Sequence, residues 1–369
     1  MDFLSAPDEM GEYYIEQLYA DTKSAQVLVF VNGIRVVLSV SVGELPKDAK
    51  HDNAKQSWIR TVSRAKLEHN NDHQVHLLGN NILSPMRTLE GELIINKAAQ
   101  QSCAALPCTL SEMLFSPVQF FKLVSTQNDG LAIKPLDADE AHAKVTVKEA
   151  HLGAHDLTFT IDPSLKEYDI DDIEVLESLR SSKSGGHIAC RVRVDGKDMF
   201  CKAERGGIAF GDSGVGYDFK RMLAIREGLV RLPGLSLRIP KLLGYLRHPE
   251  EGHVVGFLRE WIPGWNLASR PIDSVSHNTL LGWDSKVADT VTTLHAIGAV
   301  WGGGDPGSVV IDEHNEPWLI DFSSGVASGW RDEDCDDVEG DWRGVDKIAR
   351  YLGLLNDSED EDAGEAQYM

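Results

Sequence analysis

Hydrophobic and polar residues alternate along this chain in blocks, and the blocks predict its elements. Glu12 to Ala20 has the spacing of a short helix. Gln26–Val31 and Ile34–Val40 are apolar, β-branched runs on either side of Asn32-Gly33. Asn-Gly accepts positive φ at both central turn positions, so the pair predicts a hairpin. Pro46 to Lys55 is polar and is expected to form a loop, as is Glu68 to His73. Between Leu89 and Asp171 the pattern is mixed, with strand-like pieces at Ala143–Val147 and Leu157–Ile161. Residues 1–170 therefore predict an α+β region without an internal repeat, divided near Asn80 to Leu89.

From Glu174 the texture changes. Glu174–Leu179 predicts a strand or a short helix, and a Gly/Ser break over Ser181 to Gly186 leads into His187–Val194. Asp195-Gly196 then turns the chain into Lys197–Ala203, a second hairpin. A glycine-rich stretch, Gly206 to Gly216, precedes a helix predicted over Asp218–Leu232. Asp218 is its expected N-cap, and Phe219, Met222, Leu223, Ile225, Leu229 and Val230 share its apolar face. Ile239–Leu246 and Val254–Glu260 predict strands. Helical spacing returns at Trp283–Ile297, closed by Gly298. Val309–Ile311 and Trp318–Ile320 are short strands around a turn at Glu313 to Glu316, and a last helix runs from near Asp341 to near Leu355.

Composition narrows the function classes. The 369 residues allow two or three domains, each with its own core. Thirty-six basic against 58 acidic residues leave a net charge of −22, the wrong sign for a nucleic-acid binder. No run approaches the roughly 18 apolar residues of a membrane helix. Met1 to Glu9 lacks the basic start and apolar run of a signal peptide, so a cytoplasmic or nuclear protein is expected, not a secreted one. Five scattered cysteines (Cys103, Cys108, Cys190, Cys201, Cys335) fit reduced thiols better than a disulfide framework.

The candidate chemistry lies in the second half. Leu294-His295-Ala296-Ile297-Gly298-Ala299-Val300-Trp301-Gly302-Gly303-Gly304-Asp305-Pro306-Gly307-Ser308-Val309-Val310-Ile311-Asp312 is followed by Pro317-Trp318-Leu319-Ile320-Asp321-Phe322-Ser323-Ser324-Gly325. With the preceding order of hairpin, helix and two strands, these segments resemble the protein kinase-like superfamily. They are most similar to a fungal branch reading L-H-x-x-G-x-x-W-G-D-x-K-P-x-N-V-L-I-D and then W-L-I-D-F-G-G-G. The resemblance covers about half the chain, from Glu174 to Leu355. It implies an α+β bilobal fold, with an N-lobe over about 171–263 and a reduced C-lobe over about 264–356. An α+β extension over 1–170 would precede it and an acidic tail over 357–369 would follow.

The resemblance also implies roles. Lys202 matches the lysine that holds the α- and β-phosphates of ATP, and Glu227 is its expected ion-pair partner on the helix. Asp321 matches the aspartate that binds Mg²⁺, with Ser308 at the second metal-binding position. Glu260 to Ile262 would form the hinge that meets an adenine ring. Asp341, in Gly340-Asp341-Trp342-Arg343-Gly344, would begin a helix and brace the catalytic loop.

Three departures fall in that loop. The catalytic aspartate is replaced by Gly303, the loop lysine by Asp305, and the metal-binding asparagine by Ser308. The phosphate-covering loop over Ser181 to His187 keeps only Gly185 and Gly186. General-base help alone is typically worth about 10²–10⁴-fold in rate. The expectation is a pseudokinase with a regulatory or partner-binding role, retaining ATP and Mg²⁺ through Lys202, Glu227 and Asp321. The alternative is an ATP-dependent phosphotransferase in which Asp305 acts as a displaced base. A third reading reuses the cleft for another small-molecule reaction.

Other motifs have plainer explanations. Gly211-Asp212-Ser213-Gly214 copies a serine-protease nucleophile segment, but it stands just before a predicted helix without the rest of a triad. Gly206 to Ser213 has P-loop spacing with Asp212 where phosphate needs a lysine. His69, His73 and His76 would share a helical face, but Asn70-Asn71-Asp72 favours a polar loop. The acidic runs Arg331 to Asp341 and Asp357 to Asp362 are expected to be solvated, and would suit a protein partner with a basic surface.

Overall fold

The computed structural model describes residues 13–31, 34–42, 53–67, 72–102, 107–115, 118–126, 130–136, 163–179, 187–207, 214–232, 234–235, 237–250, 252–322 and 337–355. It begins with an antiparallel meander of β1 (Tyr13–Ala20), β2 (Ser24–Val31) and β3 (Ile34–Ser41). Val31 pairs with Ile34, which bears out the hairpin expected at Asn32-Gly33. The helix expected over Glu12 to Ala20 is instead β1. Its backbone pairs with the β-branched β2, and ladder formation overrides a weak local helical pattern.

Three helices cover one face of this meander: α1 (Asn53–Leu67), α2 (Asp72–Leu83) and α3 (Leu89–Ser102). Trp58, Ile59 and Val62 of α1 share a core with Val27, Val29, Val36 and Leu38. The Trp58 indole N–H donates to the Ile82 carbonyl at 3.0 Å, joining α1 to α2. The loops expected over Pro46–Lys55 and Glu68–His73 are thus shorter: α1 begins at Asn53, and His73 and His76 belong to α2. Leu78, Ile82 and Leu83 bury one side of α2, and that burial outweighs the poor propensity of its first turn.

After a short strand, β4 (Cys108–Thr109), comes a one-turn helix, α4 (Leu110–Leu114), closed by a capping box between Thr109 and Glu112. β5 (Val118–Ser125) then runs parallel to β3, and β6 (Leu131–Pro135) pairs antiparallel with β5. The first sheet has the order β1-β2-β3-β5-β6. The strands expected at Ala143–Val147 and Leu157–Ile161 lie outside the described residues.

The second sheet adds β7 (Lys166–Tyr168), β8 (Glu174–Ser178), β9 (His187–Val194), β10 (Lys197–Glu204), β11 (Leu242–Arg247) and β12 (Val254–Glu260). Its order is β4-β8-β9-β10-β12-β11-β7. Cys108 and Thr109 pair with Val175 and Glu174, and Leu110 and Leu114 enter the core with Val175 and Val192. The expected boundary near residue 170 is therefore not where one core ends. Both β4 and β7, from earlier in the chain, are edges of the second sheet. Cys190 and Cys201 lie opposite each other in this core as free, buried thiols, and burial pushes the Cys190 thiol up to about 12. They act as small apolar groups.

Helix α5 (Gly214–Arg231) packs against the other face of the second sheet, with Phe219 stacked on Phe257 of β12 at 5.9 Å between ring centres. It starts four residues before Asp218, so Asp218 lies inside the helix and is not its cap. Val230, expected on the apolar face, is exposed. Below α5 lie β13 (Gly264–Asn266), α6 (His277–Ala296), β14 (Val309–Asp312), β15 (Pro317–Leu319) and α7 (Val338–Tyr351). Trp283, Val287, Val291 and Leu294 of α6 share one core with Phe219, Phe257, Val345 and Ile348. Among the described residues, no helix is long and apolar enough to cross a membrane.

The two sheets meet at the end of β10. Phe30 and Arg35 are register partners on the face of the first sheet opposite its helices. The Arg205 guanidinium lies 4.0 Å from the centre of the Phe30 ring. Gly206, at φ 74°, passes so close beneath Arg35 that a Cβ there would overlap the guanidinium. The strand that carries Lys202 is thereby pinned just before the connection to α5. Gly206→Val is expected to cost about 1–3 kcal/mol through overlap and left-handed strain. Paired with Arg35→Ala, the two costs should sum to less than their separate values in a urea-unfolding double-mutant cycle.

Candidate functional site

Lys202 lies buried between the second sheet and the helices below it. Side chains alternate across β10, so Lys202 leaves the face towards α5 while Cys201 and Ala203 enter the opposite core. Its ammonium donates to Asp218 Oδ2 of α5 at 2.8 Å and to Asp321 Oδ1, just past β15, at 2.9 Å. Lys202 and Asp218 are 3% and 2% exposed, whereas the Asp321 side chain is 42% exposed. Burial alone would lower the lysine pKa. The two carboxylates and their hydrogen bonds outweigh burial and hold it above the usual value. Asp321 sits at φ 55°, a strained conformation for a residue with a side chain.

The helix partner differs from the expected one. Glu227 is exposed, and the carboxylate that meets Lys202 belongs to Asp218. The nine-position separation rotates Glu227 by about 180° around the helix, onto its solvent side. Asp218 instead shares the inward face with Met222 and Ile225, at i+4 and i+7. That spacing was available in the sequence, but the assignment of Asp218 as N-cap hid it. From the next turn, Arg221 donates to the Phe322 carbonyl. Helix α5 thus grips both the sheet above and the segment after β15.

Two large side chains share the Lys202 face. Phe200 stands two residues before the lysine, and its register partner Arg259 places a guanidinium 3.7 Å from the ring centre. Both are buried. Burial lowers the Arg259 pKa to about 10, partly offset by the charges of Asp218 and Asp321, so it remains a cation at neutral pH. Nothing in the sequence reading singled out either residue, since a lone aromatic and a lone arginine in strands carry no motif.

The loop from Trp301 to Ser308 hangs from one carboxylate. Asp341, in the first turn of α7, is wholly buried. Its Oδ2 accepts from the Trp301 N–H at 2.7 Å and lies 2.8 Å from His295 Nε2. Its Oδ1 accepts from the N–H groups of Gly302 at 2.6 Å and Gly303 at 3.1 Å. The expected brace is present, although α7 begins at Val338, three residues earlier than predicted. Gly302 and Gly303 both have positive φ, which lets their consecutive N–H groups converge on one oxygen. The buried Trp301 closes the other side, donating from its indole to the Ile320 carbonyl at 3.0 Å.

The remaining loop positions follow. Asp305 is exposed, and its Oδ1 accepts from the buried Ser308 hydroxyl at 3.2 Å. The Ser308 carbonyl accepts from Ile320 N, next to Asp321, at 2.9 Å. Ser308, Asp305 and Asp321 are therefore neighbours by chain path. Among the described residues, however, no group of three or more His, Cys, Asp or Glu is arranged to hold a metal ion.

In the segment expected as the hinge, the Glu260 carboxylate turns back to the Lys241 N–H at 3.1 Å, and Ile262 is half-buried. Trp261 lines a cavity of about 620 Å³ together with Leu179, Arg191 and Asp198. Arg191 pairs with Asp198 and lies 5.3 Å from the Trp261 ring centre. The Ser181 to Gly186 loop, the Gly211 to Ser213 segment and the acidic runs over 331–336 and 357–362 lie outside the described residues.

Asp341→Ala would leave three N–H donors, two of them buried, without their acceptor, and is expected to cost about 3–5 kcal/mol in urea unfolding. His295→Ala, which removes one partner and leaves the three backbone bonds, should cost about 1–2 kcal/mol. No protein-family model matches the chain and no curated protein matches it, so the function has to be argued from this geometry.

Proposed function

We propose that this chain has a kinase-like bilobal fold and acts as a pseudokinase, a non-catalytic scaffold with a regulatory or partner-binding role. What supports the fold is the joint arrangement of a strand lysine, a helix carboxylate, and a hairpin that delivers a second carboxylate. A loop suspended from a buried aspartate completes it. What carries the loss of catalysis is Gly303. The resemblance puts the hydroxyl-aligning aspartate there, and this chain has only a backbone N–H bound to Asp341 at positive φ. The nearest acid in the chain, Asp305, is exposed to solvent and accepts from Ser308. A general base contributes about 10²–10⁴-fold, and the reversed charge at Asp305 opposes a transferring phosphoryl group.

The partner we infer has a basic surface. The chain carries a net charge of −22, with acids concentrated over Asp332 to Asp341 and in the tail. The test of the catalytic reading is turnover of ATP with Mg²⁺ and a hydroxyl acceptor. The expected result is no release of ADP above background, unchanged in Asp305→Asn and Asp321→Asn. Turnover that disappears in both variants would instead establish a phosphotransferase with Asp305 as its base.

A further inference from the structure

Beside the cavity that Trp261 lines, the ground around Lys202 is occupied by the chain's own buried side chains. Phe200 and Lys202 leave the same face of β10, and Arg259 of β12 lies across the Phe200 ring. Lys202 donates to both Asp218 and Asp321, and the charges of the same two carboxylates act on Arg259 from a distance. Two buried cations thus face two anions, and the group is formally neutral without any ligand. A nucleotide needs the opposite arrangement: a flat apolar slot for its base and unneutralised cations for its phosphates. The V-A-I-K strand of the kinases this chain resembles has alanine two residues before the lysine, where this chain has Phe200.

We propose that the Phe200–Arg259 stack is a built-in occupant of the cleft, taking the place of a purine base. In this arrangement Arg259 joins Lys202 in balancing Asp218 and Asp321, and the sheet, α5 and the segment after β15 are tied together without a nucleotide. The residues present do not fit ATP with Mg²⁺. This deepens the pseudokinase reading and rests on its fold assignment. It is stricter about binding: a scaffold that had lost only its base would still take up ATP.

The test is thermal unfolding of the full chain with millimolar ATP, with and without Mg²⁺, beside the double variant Phe200→Ala/Asp218→Asn. The wild-type melting temperature should not move. The double variant, its slot opened and two cations left against Asp321 alone, should melt lower alone and gain roughly 3 °C or more at saturating ATP. That gain should vanish when Lys202→Ala is added. A shift in the wild-type chain overturns the proposal, as does a folded double variant that ignores ATP. Should the double variant not fold, Phe200→Leu/Asp218→Asn, which replaces the ring with a smaller aliphatic group, is measured the same way. Binding by the wild type without ADP release would sink this proposal and leave the pseudokinase reading standing, whereas binding with release would sink both.

Discussion

Burying an ammonium group is costly unless carboxylates meet it, and Lys202 is 3% exposed. That one constraint fixes three parts of the molecule relative to each other. The lysine comes from β10, Asp218 from α5, and Asp321 from the end of the β14–β15 hairpin. Removing Asp218, the buried partner, would leave the ammonium paired with the half-exposed Asp321 alone. The left-handed conformation of Asp321 follows from this demand: the backbone is held where the carboxylate can reach the ammonium.

A second buried charge organises the loop beneath. Asp341 gathers three backbone N–H groups and the His295 ring, a set of partners that satisfies both carboxylate oxygens. The loop is therefore pre-shaped, with Trp301 packed on one side and Gly344 allowing α7 to approach Gly304 on the other. The loop shape is thus set by backbone bonds to Asp341, and its exposed side chain, Asp305, takes no part in those bonds.

The N-terminal sheet contributes a third restraint. Its Phe30 and Arg35 hold Arg205 and Gly206, at the point where β10 gives way to the connection into α5. The two elements that supply Lys202 and Asp218 are therefore braced from outside the cleft as well as through it. Displacing the first sheet would release the connection between them. This gives the N-terminal region a mechanical place in the fold that its own sequence does not disclose.

Much of this was legible in the chain. The Asn32-Gly33 and Asp195-Gly196 hairpins depend on turn residues alone, and the α5, α6 and α7 helices on apolar spacing. Lys202, Asp321 and Asp341 were identified because each sits in a local motif. Asp218 was misassigned because its partner lies on another element, and the acid-to-lysine pairing depends on which side of α5 faces the sheet. β1 was misread because its partner strand, and not its own pattern, stabilises it. The Phe200–Arg259 stack was invisible for the same reason: two residues 59 positions apart become neighbours only through strand register. The sequence by itself determined the turns and the amphipathic helices, because local sterics and periodicity govern them. Only the tertiary structure decided which carboxylates meet the buried lysine and what fills the cleft, because burial and charge pairing are properties of juxtaposed elements.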